Sequence, residues 1–212
     1  MFAVVESGSI KSYTRGTNGV QIGDIKYSAD IFTSKWTESE RNAIGIYPVE
    51  IDDSNYKDIR FYINTDITYA YDSSANKVKG TYGTATAKAH ADTTYTNTDK
   101  SNGIIPTGKD VGDVKDEGLK TILIRQVKAD AKSKLDATDW YVTRKAEENT
   151  AIPSAITTHR KAVRTKQAEM ETAIINASDT PALETLHTYV NTGTEENPVY
   201  ERPLGELPTL ES

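Results

Sequence analysis

Leu135-Asp136-Ala137-Thr138-Asp139-Trp140-Tyr141-Val142-Thr143-Arg144 is the phrase on which the reading of this chain turns. It closes an apolar stripe, Leu119, Leu123, Val127, Ala131 and Leu135, that repeats every four residues and so lies on one face of a helix expected over 112–136. A Thr-Asp-Trp turn follows, with Asp139 placed to cap the free N–H groups of a second helix that runs to about Glu148. Pro153, tolerated in a first helical turn, opens a third helix in which Ile156, Val163 and Met170 recur at heptad spacing, with Ile174 one turn on. That helix is expected to reach about Ala177, and Thr180-Pro181 to restart a short one through Leu183 and Leu186. The return phrase Thr158-His159-Arg160-Lys161-Ala162-Val163-Arg164 sets Arg160 and Arg164 four positions apart, on one face. The result is a helical module over 112–190, shaped to hold a partner rather than to do chemistry.

Toward the N-terminus the period changes to that of strands. Residues 2–5 are apolar and β-prone, Ser7-Gly8 supplies a turn, and Ile10 to Arg15 alternates, so a small hairpin is expected. Asn18-Gly19 marks another turn, and Val20, Ile22, Ile25 and Tyr27 continue as short extended pieces broken by Gly23-Asp24. Thr37 and Glu40 form a capping box and Gly45 sits where a C-terminal cap belongs, which predicts a helix over 38–44 with Trp36 packing on Ile44. Ile46–Ile51, Arg60–Tyr71 and Lys77–Tyr82 read as strands, the last two joined by the loop Asp72 to Asn76.

The organisation is therefore α+β: a small β-rich N-terminal domain (1–83), a Thr-rich linker (84–111), the α-helical C-terminal module and an extended C-terminal tail (191–212). The linker has almost no periodic apolar residue, which fits a free linker or a loop held by something else. The tail holds three prolines and two glycines, too irregular to fold alone, and is expected to lie on a neighbouring subunit.

Composition narrows the function classes. At 212 residues and 36% hydrophobic content the core should be modest, with partners supplying part of the burial. A net charge of −6 and a pI of about 5.2 argue against nucleic acid as a partner, since phosphate neutralisation needs a basic surface. There is no cysteine, hence no disulfide and no thiolate ligand. Met1 to Val5 is followed at once by Glu6, too short an apolar start for a targeting segment, and no run approaches the ~20 apolar residues that cross a bilayer, so no membrane partner and synthesis in a cytoplasm are expected.

Catalytic constellations fail one by one. Gly103 to Asp110 has the spacing of a phosphate-binding loop, but Asp110 stands where a Ser or Thr hydroxyl would meet magnesium, Pro106 deletes a cradling N–H, and polar Thr98–Asn102 precedes it in place of a strand. His90, His159 and His187 lie far apart without partners at metal-ligand spacing and read as ordinary surface histidines. No Gly-x-Ser-x-Gly elbow exists, and Asp52-Asp53 beside Ser54-Asn55 reads as a turn. No enzyme, cofactor or metal is expected.

Aromatic residues remain. Nine of the twelve tyrosines fall in the first 95 residues (Tyr13, Tyr27, Tyr47, Tyr56, Tyr62, Tyr69, Tyr71, Tyr82 and Tyr95), where they suit half-buried strands or, exposed, could stack on sugars or anchor a protein. Trp140 reads either as the plug where two helices meet or as a partner-facing hot spot, and Arg144, one turn on, could stack over its indole. Arg160 and Arg164 read as a solvated helix face or as part of that docking surface.

Across Ile124–Val163 the chain resembles the phage tail assembly chaperone and tail fibre assembly proteins. Their arginine-bearing helix, leucine, Ser/Thr-Asp-Trp turn and Tyr-Arg-x-x-Leu-Arg-like phrase match Arg125, Leu135, Thr138-Asp139-Trp140 and His159-Arg160 with Val163-Arg164. The departures are His159 for tyrosine and Val163 for leucine. The opening is also similar to the β-rich start of such phage proteins, in Phe32–Trp36 followed by Glu40–Ile46 with its Ile-Gly-Ile ending. The resemblance implies a non-enzymatic protein of the virion tail, present in the host cytoplasm during assembly, that docks to fibre or baseplate components as a retained subunit or an assembly factor. Asp139, Trp140, Arg144, Arg160 and Arg164 would form its partner-binding face, with self-association left open. The rival is a receptor- or glycan-binding module built on the tyrosine-rich domain.

Overall fold

Phe2-Ala3-Val4-Val5 has no polar position, and a strand that is apolar on consecutive residues must be covered on both faces. The computed structural model, which describes residues 1–210, does this within the first of two compact units, Met1–Thr86. In chain order this unit contains β1 (Phe2–Glu6), β2 (Ser9–Thr14), β3 (Val20–Ile22), β4 (Ile25–Tyr27), α1 (Glu38–Ala43), β5 (Ile46–Asp52), β6 (Tyr62–Ile63), β7 (Ile67–Asp72) and β8 (Lys77–Tyr82); β9 (Thr86–Ala87) follows where it ends. Ser7 and Gly8 both take positive φ, 50° and 76°, which matches the twist of a tight hairpin and folds β2 back on β1. The sheet order is β2-β1-β5-β8-β7, antiparallel throughout except for the parallel pair β5–β8.

The sheet curls until Tyr13 of β2 meets Tyr69 of β7, ring centroids 5.0 Å apart, across its two edges. Inside the curl Ala3, Val5 and Val78 are packed by Ile10, Tyr47, Val49, Tyr69 and Tyr71. On the other face of β1, Val4 and Ile46 join Ile31 under Phe2, Val20, Tyr27, Phe32, Trp36 and Ile44. Arg41 ties this outer layer together: its Nη1 donates to the carbonyls of Ile31 and Trp36, and the guanidinium lies 5.4 Å from the Phe2 ring centroid. The capping box of Thr37 and Glu40 starts α1, and Gly45 (φ 84°) turns the chain into β5. The strand expected over 60–71 is broken, because the Asn64 amide exchanges two hydrogen bonds with the backbone of Lys57 and pulls residues 64–66 out of the ladder.

The second unit begins at Ala87 and contains β10 (Thr93–Thr94), α2 (Asn97–Ser101), β11 (Val114–Asp116), α3 (Leu119–Asp136), α4 (Asp139–Glu148), α5 (Ser154–Asn176), α6 (Thr180–His187), β12 (Val190–Asn191) and β13 (Tyr200–Glu201). Helices α3 and α5 pack antiparallel, as three contacts along their length require: Lys120 Nζ donates to the Ile175 carbonyl, Lys128 pairs with Glu171, and Arg160 donates to the Leu135 carbonyl. Leu119, Val127 and Ala131 are buried on α3, and Ile156, Val163, Met170 and Ile174 on α5. The first helix starts at Leu119 rather than 112. Val114–Asp116 is taken up as a strand against Thr93–Thr94, and Asp92 fastens the helix start by accepting from the Gly118 N–H and the Thr121 hydroxyl.

From Ala87 onward the Thr-rich stretch is part of this unit. The carbonyls of Ala89 and His90 accept from the N–H groups of Leu119 and Lys120, and the Lys88 carbonyl accepts from the Thr180 hydroxyl. The tail lies on its own helices, where a neighbouring subunit was expected: Leu204 is buried and its N–H donates to the Leu186 carbonyl. Residues 211–212 of that expectation lie outside the described residues.

Candidate functional site

Helix α3 ends at Asp136 and α4 begins at Asp139, leaving two residues to make the bend. Thr138 takes φ −118°, ψ 5°, a conformation outside the helix, and turns its side chain inward, where it is 2% exposed. Its hydroxyl donates to the Leu135 carbonyl at 2.9 Å and accepts from Arg160 Nη1 at 2.7 Å. The same nitrogen donates to the Leu135 carbonyl at 2.9 Å, while Nη2 of Arg160 pairs with the Asp139 carboxylate at 2.8 Å. One planar guanidinium on α5 thus closes a carbonyl at the C-terminus of α3, the bend, and a carboxylate in the first turn of α4. Each partner suits the helix end it serves, cation at a C-terminus and anion at an N-terminus.

This geometry corrects two expectations. Asp139 does not cap α4, since it is the first residue of the helix and spends its carboxylate on Arg160. Arg160 is no surface cation either: it is 7% exposed and serves as an internal clasp. The signal for this is in the sequence, because Arg160 falls four residues after Ile156 and three before Val163, on the buried stripe of α5. A charged residue there needs partners, and Thr138 with the Leu135 carbonyl supplies them, a role that their place in the Thr-Asp-Trp motif does not announce.

Trp140 behaves in the opposite way. It is 52% exposed, so it is not the plug between helices. Its ring lies against Tyr141, centroids 3.9 Å apart, and the Arg144 guanidinium stands 4.6 Å from its centroid and 5.6 Å from that of Tyr141. Helix α4 buries none of its residues. A ten-residue helix is marginal in water, so the clasp at its first turn is what the second unit offers to hold it. Arg164 is exposed on α5 and lines a shallow groove with Lys128, Lys132, Leu135 and Asp139. Of the five residues expected to form one face, Asp139, Arg160 and Arg164 meet at this groove, Trp140 and Arg144 form the stack on α4, and Arg160 is withdrawn from solvent.

Elsewhere the chain offers little for chemistry. Two of the three histidines are buried, against the surface reading: His159 on the core side of α5 and His187, whose Nδ1 lies 2.8 Å from the Leu183 carbonyl. Each falls at helical spacing from a core residue, His187 four after Leu183. The loop Gly103–Asp110 follows a helix and precedes a strand, the reverse of a phosphate-binding loop, and Lys100 engages Asp110. Among the described residues no group of three or more His, Asp or Glu is arranged to hold a metal, and no helix is long and apolar enough to cross a membrane. Six of the nine tyrosines in the first 95 residues pair with one another: Tyr13 with Tyr69, Tyr47 with Tyr71 and Tyr56 with Tyr82. Its hydrogen bond with Tyr47 pushes the Tyr71 hydroxyl up to about 12, and both rings pack against the inner cluster of Ala3, Val5 and Val78. Comparison with protein-family models, with curated proteins and with solved structures returned no match.

Proposed function

We propose that the chain is a non-enzymatic docking protein that engages another protein through α4, with Trp140 as the anchor. The observation that carries this is the Trp140–Tyr141–Arg144 stack, its tryptophan half exposed, on a helix with no fully buried residue. Aromatic and arginine side chains are the types that dominate protein interfaces, and stacking them beforehand lowers the entropy lost on binding. The resemblance of Ile124–Val163 to tail fibre assembly proteins supplies the setting. The partner is then a tail fibre or baseplate component of a phage, met in the host cytoplasm during assembly, with the chain acting as a retained subunit of the virion tail or as an assembly factor. The paired tyrosines, with Tyr47, Tyr69 and Tyr71 packed on the inner cluster, favour this over glycan recognition by the N-terminal unit.

Capture of the chain by fibre and baseplate proteins of its own phage is the test. Trp140→Ala should weaken capture more than about thirtyfold, the cost of losing an interface hot spot, while shifting unfolding stability by less than about 1 kcal/mol. Capture unchanged by the substitution, or no tail protein that captures the wild-type chain, sinks the proposal. Mass spectrometry of purified virions separates a retained subunit from an assembly factor.

A further inference from the structure

The segment after α6 presents a surface that nothing in its own unit covers. The ladder β12–β13 is two residues long on each strand, short for a hairpin that stands alone. Val190, Val199 and Tyr200 on it are 49%, 50% and 65% exposed. Alternation along the strands sets Val190, Val199 and Glu201 on one face. Between Thr180 and Glu201 the chain has four glutamates and no lysine or arginine, and Glu195 and Glu196 at the hairpin tip form no ion pair among the described residues.

The α3–α4 elbow is its electrostatic counterpart. From Lys132 to Arg164, which spans the elbow, α4 and the facing turn of α5, the chain carries seven Lys and Arg against four Asp and Glu, a basic surplus in a chain of net charge −6. Within the groove beside α4 both carboxylates are already engaged, Asp136 by Lys132 and Asp139 by Arg160, while Arg164 forms no ion pair among the described residues. An exposed apolar and acidic hairpin and an exposed aromatic and basic elbow are thus present on one chain. They make no hydrogen bond, ion pair or ring contact with each other among the described residues.

We infer that the hairpin Val190–Glu201 of one copy docks on the elbow of a second copy, with Val190 and Val199 against Trp140 and Glu195 and Glu196 toward Arg144 and Arg164. Pairing of hairpin with hairpin would set glutamates against glutamates, so the contact joins two different surfaces. A contact of that kind propagates head to tail, giving a ring if it closes and an open row if it does not. The inference rests on α4 being a docking surface and names its first occupant; the terminal copy of an open row keeps one elbow free for the tail component.

Sedimentation velocity of the full chain over a range of concentrations and salt tests this. Self-association that weakens with salt is expected. Trp140→Ala/Arg164→Glu and, separately, Glu195→Lys/Glu196→Lys/Val199→Ser should each weaken it more than about tenfold. The two variants mixed keep one intact contact between them and should form a 1:1 dimer that grows no further. A wild-type chain that stays monomeric at every concentration overturns the inference, as does either variant associating alone like wild type, or a mixture that stays monomeric. Capture by the tail component, measured in parallel, reports on the docking function separately, since loss of capture by Trp140→Ala in a monomeric chain would keep that function and discard self-association.

Discussion

The two units solve the same problem, too few apolar residues for a thick core, by different means. The first wraps a single apolar strand: β1 is covered on one face by the inside of the curled sheet and on the other by a layer of β3, β4, α1 and their connections. Its tyrosines close the gaps in pairs, and its aromatic surface is largely turned on itself. The second lines up one stripe between α3 and α5 and fixes the ends of its elements with polar side chains, Arg160 at the elbow and Asp92 at the start of α3. Its aromatic stack is left outside. Burial by wrapping hides side chains that could recognise a partner; burial along a single seam leaves the other helix faces available, and function is better sought there.

The contrast can be broken most severely at Arg160. Arg160→Ala removes the group that satisfies Thr138, the Leu135 carbonyl and Asp139, and should cost about 3 kcal/mol, the low end for a buried pair because Asp139 is itself half exposed. Circular dichroism should show α4 lost first, with tyrosine signals of the first unit unchanged. An equal loss in both units would refute the separation.

Next is Gly80, in β8. A Cβ there would stand 2.7 Å from both the Tyr69 ring and the Ile51 side chain, so Gly80→Val should overpack the curl and cost about 2 kcal/mol. Thermal unfolding should register this in the first unit while the helical signal of the second persists.

A third test uses acid. Asp99 accepts from Lys115 and from the backbone and hydroxyl of Thr96, which lowers its carboxyl from 3.8 to about 2. Because the folded value lies below the unfolded one, its contribution is present in full above about pH 4 and fades as pH falls toward 2. Asp72 is lowered in the same direction in the first unit, chiefly by Ser74. Asp99→Asn should flatten the acid limb of the second unit alone, and Asp72→Asn that of the first alone, as followed by helical and tyrosine signals. The smallest effect on folding is expected from Trp140→Ala, below about 1 kcal/mol, which a melting curve would check.

What was legible in the sequence was periodicity. The hairpin at Ser7-Gly8, the capping box at Thr37 and the stripe Ile156, Val163, Met170 and Ile174 are all found where spacing and local chemistry put them. Less legible were elements fixed by single polar contacts across long separations. Asn64 interrupts a strand by bonding to Lys57, and the Thr-rich stretch joins the helices through carbonyls of residues 88–90, which no residue pattern announces. At the elbow, side-chain type leaves alternatives open. An arginine on a core stripe reads as a solvated or docking cation and a tryptophan at a helix junction as a plug or a hot spot, and the two-residue bend at Thr138 decides which of them turns inward.

That bend has a mechanical consequence. Any load applied to Trp140 by a bound partner enters the protein along α4, which buries none of its own residues and is held near its first turn by the Asp139–Arg160 pair. The main chain carries the pull across the two-residue bend into α3, and the guanidinium couples the first turn of α4 to the 23-residue shaft of α5. Arg160 therefore sets the angle at which α4 leaves the bend, and because that coupling needs both nitrogens of a rigid fork, lysine in its place would leave the lever loose.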